Sequence, residues 1–209
     1  MKLHLRLFVV LSAFLAVSVG IPSAHAAGSP EGLGLHLGLN FADVSADTTA
    51  DTSSTTGFEV GATYDYSLAD GFFFVPGAQI IQRGFGVDVP APLREVDIHV
   101  TYLEFPLLFQ ARFTGAGANL IPFFTAGPNF GLKLGTSCSV SGGECTVTDE
   151  SGVKTLTMGF EFGGGAIFPL ENAGSLMAQI RYHLGLTNVT DSPADPKNRG
   201  LLLDVGYLF

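Results

Sequence analysis

Leu103-Glu104-Phe105-Pro106-Leu107-Leu108-Phe109-Gln110-Ala111-Arg112-Phe113 decides the fold. Leu103, Phe105, Leu107, Phe109, Ala111 and Phe113 fall on one face, and Glu104, Pro106, Leu108, Gln110 and Arg112 on the other, with Tyr102 before them. A period of two is the period of a β-strand, whose successive side chains point to opposite faces. No residue of the apolar face is charged, whereas the opposite face carries both signs.

Seven further segments repeat the pattern. Leu33 to Phe41, Phe58 to Tyr66 and Phe72 to Arg83 precede this strand; Phe124 to Leu134, Leu156 to Phe168, Leu176 to Leu186 and Leu201 to Phe209 follow it. Residues 68–71, about 114–121 and 169–174 are short and turn-like. Residues 42–56, 85–97, 136–154 and 188–199 are longer and rich in Asp, Thr, Ser, Gly and Pro. The expectation is all-β: an eight-stranded antiparallel up-and-down transmembrane β-barrel, with turns at one end and polar loops at the other. An even strand count places both termini with the turns, on the periplasmic side.

Composition supports a membrane rather than a soluble barrel. The chain is 46% hydrophobic and 14% charged, and beyond the first 26 residues it has no apolar run of helix-spanning length. Residues 1–26 read as a signal peptide. Lys2, His4 and Arg6 form the basic region, Leu7 to Val17 the apolar core, and Ala24-His25-Ala26 the cleavage pattern, leaving 27–209 as one barrel domain. The net charge of −9 becomes −11 once Lys2 and Arg6 leave, which disfavours nucleic acid as a partner. Cys138 and Cys145, close together in an exported chain, are expected to form a disulfide.

Which face meets lipid follows from the aromatics and the charges. Tyr64, Tyr66, Phe72, Phe74, Phe113, Phe124, Phe168, Tyr207 and Phe209 share the apolar face beside the short turns, as an interfacial girdle does. The opposite face holds Glu59, Asp65, Glu104, Glu161 and Asp204 against Arg83, Arg112, Lys133 and Arg181, with His36 and His183 besides. Eight strands enclose a lumen about wide enough for side chains to fill, so these groups are expected to form an interior ion-pair network, with glycines where long side chains cross. Leu203, Val205, Tyr207 and Phe209 end the chain on an alternating aromatic strand, the pattern expected of a C-terminal assembly signal.

The chain resembles the PorT-like, OmpA/OmpX-type group of outer-membrane β-barrel domains. The resemblance is carried by Tyr102 to Phe109, by Pro76 to Gly84 ending in Gln82-Arg83-Gly84, by Ala126-Gly127-Pro128, and by Arg181-Tyr182 followed by Gly185-Leu186-Thr187. It implies a Gram-negative outer-membrane protein that meets lipid, lipopolysaccharide and the assembly machinery, and it implies little about molecular activity. The acidic first loop and the Cys138–Cys145 loop depart from the family pattern.

No nucleophile elbow, paired catalytic carboxylates at a recognisable spacing, or phosphate-cradling loop appears, and no cofactor is implied. Gly163-Gly164-Gly165 lies inside a strand and precedes no helix. Asp43, Asp47 and Asp51 lack the interleaved ligands and turn glycine of a calcium loop, so no metal site is expected there. Asn188-Val189-Thr190 matches a glycosylation sequon by chance. The leading expectation is a non-enzymatic barrel presenting four extracellular loops, in a structural, adhesive or receptor-like role whose ligand the sequence does not name. A narrow porin-like channel is the alternative, and an exported lipocalin-like carrier is a third reading.

Overall fold

The computed structural model describes residues 31–45, 52–87, 96–115, 119–140, 154–171, 173–188 and 197–209. Eight strands follow one another: β1 (Gly32–Ser45), β2 (Thr52–Ala69), β3 (Phe72–Val87), β4 (Val96–Arg112), β5 (Ile121–Val140), β6 (Leu156–Pro169), β7 (Ser175–Asn188) and β8 (Lys197–Leu208). Each pairs antiparallel with its neighbour in sequence, and β8 pairs back onto β1, closing the barrel. The eight-stranded up-and-down barrel expected from the sequence is the fold.

Closure removes every open sheet edge, so the strand ladders find their partners within the wall apart from local bulges, as a lipid setting demands. The seam runs from Gly34 opposite Leu208 to Ser45 opposite Lys197, and the Phe209 amide donates to the Leu33 carbonyl at 2.9 Å. The tightest turn is Asp70-Gly71, between Ala69 and Phe72. Gly71 has φ of 76°, and a Cβ there would lie 2.8 Å from the Arg112 carbonyl oxygen, so both conformation and space select glycine.

The strands outrun their apolar alternation. β1 continues to Ser45, β2 begins at Thr52, β5 reaches Val140 and β8 starts at Lys197, where the sequence predicted loops. Ladder hydrogen bonds do not require apolar side chains, and threonine suits a pleated strand. Alternation reports the lipid band, so it fades before the pairing does. Register shifts between Ser54 and Glu59 and between Thr101 and Tyr102 lie toward the long-loop end, and carry no period-two signature.

The wall is inverted relative to a soluble protein. Leu33, Leu35, Leu37, Leu39 and Phe41 are all exposed, with Leu37 at 62%, while Glu59, Arg83, Glu104, Glu161 and Arg181 are at most 2% exposed. The apolar exterior runs round all eight strands, from Phe58 and Val60 through Phe109, Phe124, Phe162 and Ile180 to Val205. Such a contiguous belt is far larger than a soluble monomer exposes. Aromatic pairs on it are in contact near the short-turn end: Tyr64–Tyr66 at 4.5 Å, Phe74–Phe109 at 5.3 Å, Phe113–Phe124 at 6.0 Å and Tyr207–Phe209 at 4.8 Å between centroids. This placement suits a membrane interface.

Candidate functional site: the filled lumen

Because inward positions recur every second residue on eight strands, the lumen is a stack of side-chain layers set by register. At its middle, Arg181 on β7 reaches three strands at once. Its Nη2 donates to Glu59 Oε1 at 2.6 Å, Nη1 to Glu161 Oε2 at 2.7 Å and Nε to Asp204 Oδ2 at 2.8 Å. Arg83 on β3 grips Glu104 with Nε at 2.8 Å and Nη2 at 3.0 Å, and lies 3.7 Å from Glu161. The forked guanidinium supplies several donors in one plane, which suits a group that must satisfy several carboxylates away from water.

Neutral groups knit the two arginine clusters together. Asn129 Nδ2 donates to Glu104 Oε2 at 2.7 Å and to Glu161 Oε1 at 2.6 Å, Gln79 Nε2 donates to Glu104 Oε2 at 3.2 Å, and His183 Nδ1 lies 3.2 Å from Glu161 Oε1. Burial of each charge is tolerable only because it is met from several sides. Glu104, Glu161 and His183 bring three ligand-type atoms within 4.8 Å of one another, but Arg83, Arg181 and Asn129 already occupy those carboxylates. A cation there would face two guanidiniums, so the cluster is a poor metal centre.

Glycines make room for the long side chains. A Cβ at Gly159 would lie 2.5 Å from the His183 ring, and one at Gly38 would lie 2.3 Å from Asp204 Oδ1. Gly163 sits beside Arg181, where a Cβ would meet the Ile180 carbonyl oxygen at 2.1 Å. Gly163-Gly164-Gly165 is therefore strand, with no phosphate-cradling geometry.

Nearer the short turns, Arg112 pairs with Asp65, donates from Nε to Gln110 Oε1, and stacks its guanidinium 3.8 Å above the Phe73 ring. Of the nine charged residues placed in the lumen from sequence, Glu59, Asp65, Arg83, Glu104, Arg112, Glu161, Arg181 and Asp204 are buried. Lys133 is only half-buried, on β5 opposite Tyr102, beyond the central layer toward the long loops. The nine thus do not form one network. Register separates them into a central cluster, the Asp65–Arg112 pair and Lys133.

The alternation did not reveal two apolar layers inside the barrel. Ile121, Phe123, Ile167, Met177 and Leu208 pack together at the short-turn end, beside Phe73, Val75 and Leu108. Ile81, Val100, Tyr102 and Leu202 form a second cluster on the long-loop side of the ion pairs. A signal for them does exist. Alternation breaks into apolar runs at Phe72-Phe73-Phe74-Val75, Leu107-Leu108-Phe109 and Leu201-Leu202-Leu203, which means both wall faces are apolar there. Between the first plug and the central charges lies a cavity of about 20 Å³, bordered by His36, Thr125, Gln179 and Arg181 among others. That is room for about one water.

Leu203, Val205 and Phe209 are exposed on the outer wall of β8, and Tyr207 is half-buried there against Phe209. Residues 1–26, Asp47, Asp51, Cys145, Val189 and Thr190 lie outside the described residues, and with them the signal-peptide, disulfide, calcium-loop and sequon readings.

This chain is similar to several solved outer-membrane proteins. OprG from Pseudomonas aeruginosa, an outer membrane protein, shares 16% identity over 87% of this chain and 98% of its own, with a TM-score of 0.50. Neisserial surface protein A shares 13% over 87% and 100%, with a TM-score of 0.49. Ail, the attachment invasion locus protein of Yersinia pestis, in complex with the heparin analogue sucrose octasulfate, shares 16% over 86% and 99%, with a TM-score of 0.47. No curated protein matches by sequence. The family described as outer membrane protein beta-barrel domain matches residues 29–191, most of the chain. This chain therefore belongs to the outer membrane protein beta-barrel domain family, and its place is the outer membrane.

Proposed function

We propose that this protein is a non-enzymatic scaffold that holds its long loops at the cell surface, in a structural, adhesive or receptor-like role. The observation that carries this reading is the filled lumen. Two apolar layers bracket a cross-linked charged layer, and the cavity between them has room for about one water. A wall cross-braced from inside is rigid, and rigidity is what a display scaffold supplies to the connections at 46–51, 88–95, 141–155 and 189–196. In this reading the short turns and both termini face the periplasm. The order of the Tyr102 to Phe109 and Arg181-Tyr182 motifs supports a PorT-like placement within the family, and a Cys138–Cys145 disulfide stiffens the third long connection.

The competing reading is a narrow porin-like channel for ions or small solutes. The apolar layers count against it, because an ion crossing them would shed water without gaining ligands. Planar-bilayer recording of the purified barrel tests the choice: silence is expected, and steady openings would overturn the sealed scaffold. Loop presentation is tested by protease treatment of intact cells, where cleavage confined to the long connections is expected. Cleavage at the 113–120 turn instead would invert the orientation.

A further inference from the structure

The central layer contains an imbalance that the sequence tally hides. Four carboxylates face one another across the lumen: Glu59 on β2, Glu104 on β4, Glu161 on β6 and Asp204 on β8. Two guanidiniums meet them, Arg83 on β3 and Arg181 on β7. His36 on β1 and His183 on β7 are the titratable neighbours, and β5 contributes the neutral Asn129. Asp65 is already matched with Arg112 in its own layer, and Lys133 lies outward, half-buried. Even with a proton on His183 the layer carries one negative charge in excess in a space closed to bulk water, and neither ring nitrogen of His36 meets an acceptor that would hold a further proton. An isolated buried charge of that kind is strongly disfavoured.

The geometry indicates where this charge is cancelled. Glu59 and Asp204 flank Gly38 on β1, since Gly38 pairs with Glu59 on one side and with Asp204 on the other. With no side chain at Gly38 to separate them, both carboxyl groups converge on one guanidinium, and a Cβ at Gly38 would lie 2.3 Å from Asp204 Oδ1. Each gives one oxygen to Arg181, Glu59 Oε1 to Nη2 and Asp204 Oδ2 to Nε. The remaining oxygens, Glu59 Oε2 and Asp204 Oδ1, are buried and meet no donor. Glu59 is 1% exposed and Asp204 3%. Two carboxylates gathered on one guanidinium, each with a buried oxygen that meets no donor, repel unless something positive lies between them.

We propose that Glu59 and Asp204 form a proton-binding dyad, holding one shared proton between Glu59 Oε2 and Asp204 Oδ1 at neutral pH. The proton turns an acceptor–acceptor clash into an O–H···O⁻ bond, cancels the residual charge, and leaves both outer oxygens on Arg181. Like-charge carboxylates that share a site titrate as a pair, so the proton belongs to the dyad rather than to either residue. Gly38 is the positioning residue, because any Cβ there would intrude on Asp204 Oδ1.

The dyad ties folding to pH. A proton held by the folded barrel and absent from the unfolded chain makes stability fall as pH rises, with the unfolding constant growing about tenfold per pH unit for one such proton. Glu59→Gln places an amide N–H where the shared proton would be, so this variant is expected to fold and to lose that one-proton slope. Asp204→Asn is its reciprocal and guards against failure of either single variant. Infrared spectra of the purified, folded barrel in detergent at neutral pH should show a protonated-carboxyl C=O band that moves in D₂O and disappears in both variants.

Urea unfolding between neutral and mildly alkaline pH should show the slope difference between wild type and Glu59→Gln. Absence of the band with parallel pH slopes would overturn the proposal. So would a stoichiometric metal ion in the dialysed wild type that Glu59→Gln lacks, since a cation would then supply the charge. A conducting lumen would refute the sealed scaffold while leaving both dyad readouts intact, so the two failures are distinguishable.

Discussion

Replacing Arg181 with methionine keeps a long, flexible side chain and removes the guanidinium. Glu161 would retain Asn129 at 2.6 Å, His183 at 3.2 Å and Arg83 at 3.7 Å. Glu59 and Asp204 would lose the guanidinium that each bonds, at 2.6 and 2.8 Å. Breaking one buried ion pair costs about 3–5 kcal/mol, chiefly because the remaining charge is left uncompensated. Two carboxyl groups are stranded together here, so a loss of about 5 kcal/mol is expected, a large share of the roughly 5–15 kcal/mol that holds a domain together. With a urea dependence of about 2 kcal/mol per molar, the midpoint should fall by about 2.5 M. The assay is urea unfolding of the detergent-folded barrel, read by the gel shift between folded and heated forms. Combining Arg181→Met with Glu59→Gln and Asp204→Asn should recover most of that loss, because removing charges together is far less costly than stranding them. A midpoint for Arg181→Met within about 0.5 M of wild type would refute the reasoning from which both the network and its cost were derived.

Other perturbations separate the outer wall from the inner one. Leu37→Arg, on the outer face midway along the Leu33 to Phe41 band, should cost about 2–4 kcal/mol in lipid, whereas Leu33→Arg at the band's end should cost about 0–1 kcal/mol. Equal costs in vesicle refolding would mean that this face does not cross a bilayer. Gly163→Ala should impair folding, because its Cβ would lie 2.1 Å from a backbone carbonyl, while Gly135→Ala, with nothing within 4 Å, should be neutral in the same gel assay. Deleting Phe209 removes the amide that donates to Leu33 and the ring in edge-to-face contact with Tyr207, so lower outer-membrane levels are expected. Normal levels of the truncated chain in membrane fractions would count against a role for that end in assembly.

The sequence by itself determined the strand count, the inversion of the wall and the membership of its faces. All three follow from period-two patterning, which is local: each residue reports its own side of the strand whatever its neighbours do. Leu33 to Phe41 and Leu103 to Phe113 could be assigned to lipid without knowing what they pair with. The charged lining was legible for the same reason, down to Glu104 and Arg112 on one strand.

Which charges meet was decided by tertiary structure alone. Arg181 and Glu59 are far apart in sequence, and only closure of β8 onto β1 puts them across one lumen. Register then splits an almost balanced list into a central layer short of positive charge, a separate Asp65–Arg112 pair, and a half-buried Lys133. Register depends on bulges and turn geometry, which leave no trace in alternation. The apolar plugs were hidden for a related reason. Phe73, Ile81, Leu202 and Leu208 stand on the parity of the polar lining, and only the stacking of eight strands shows that they gather into apolar clusters inside the barrel.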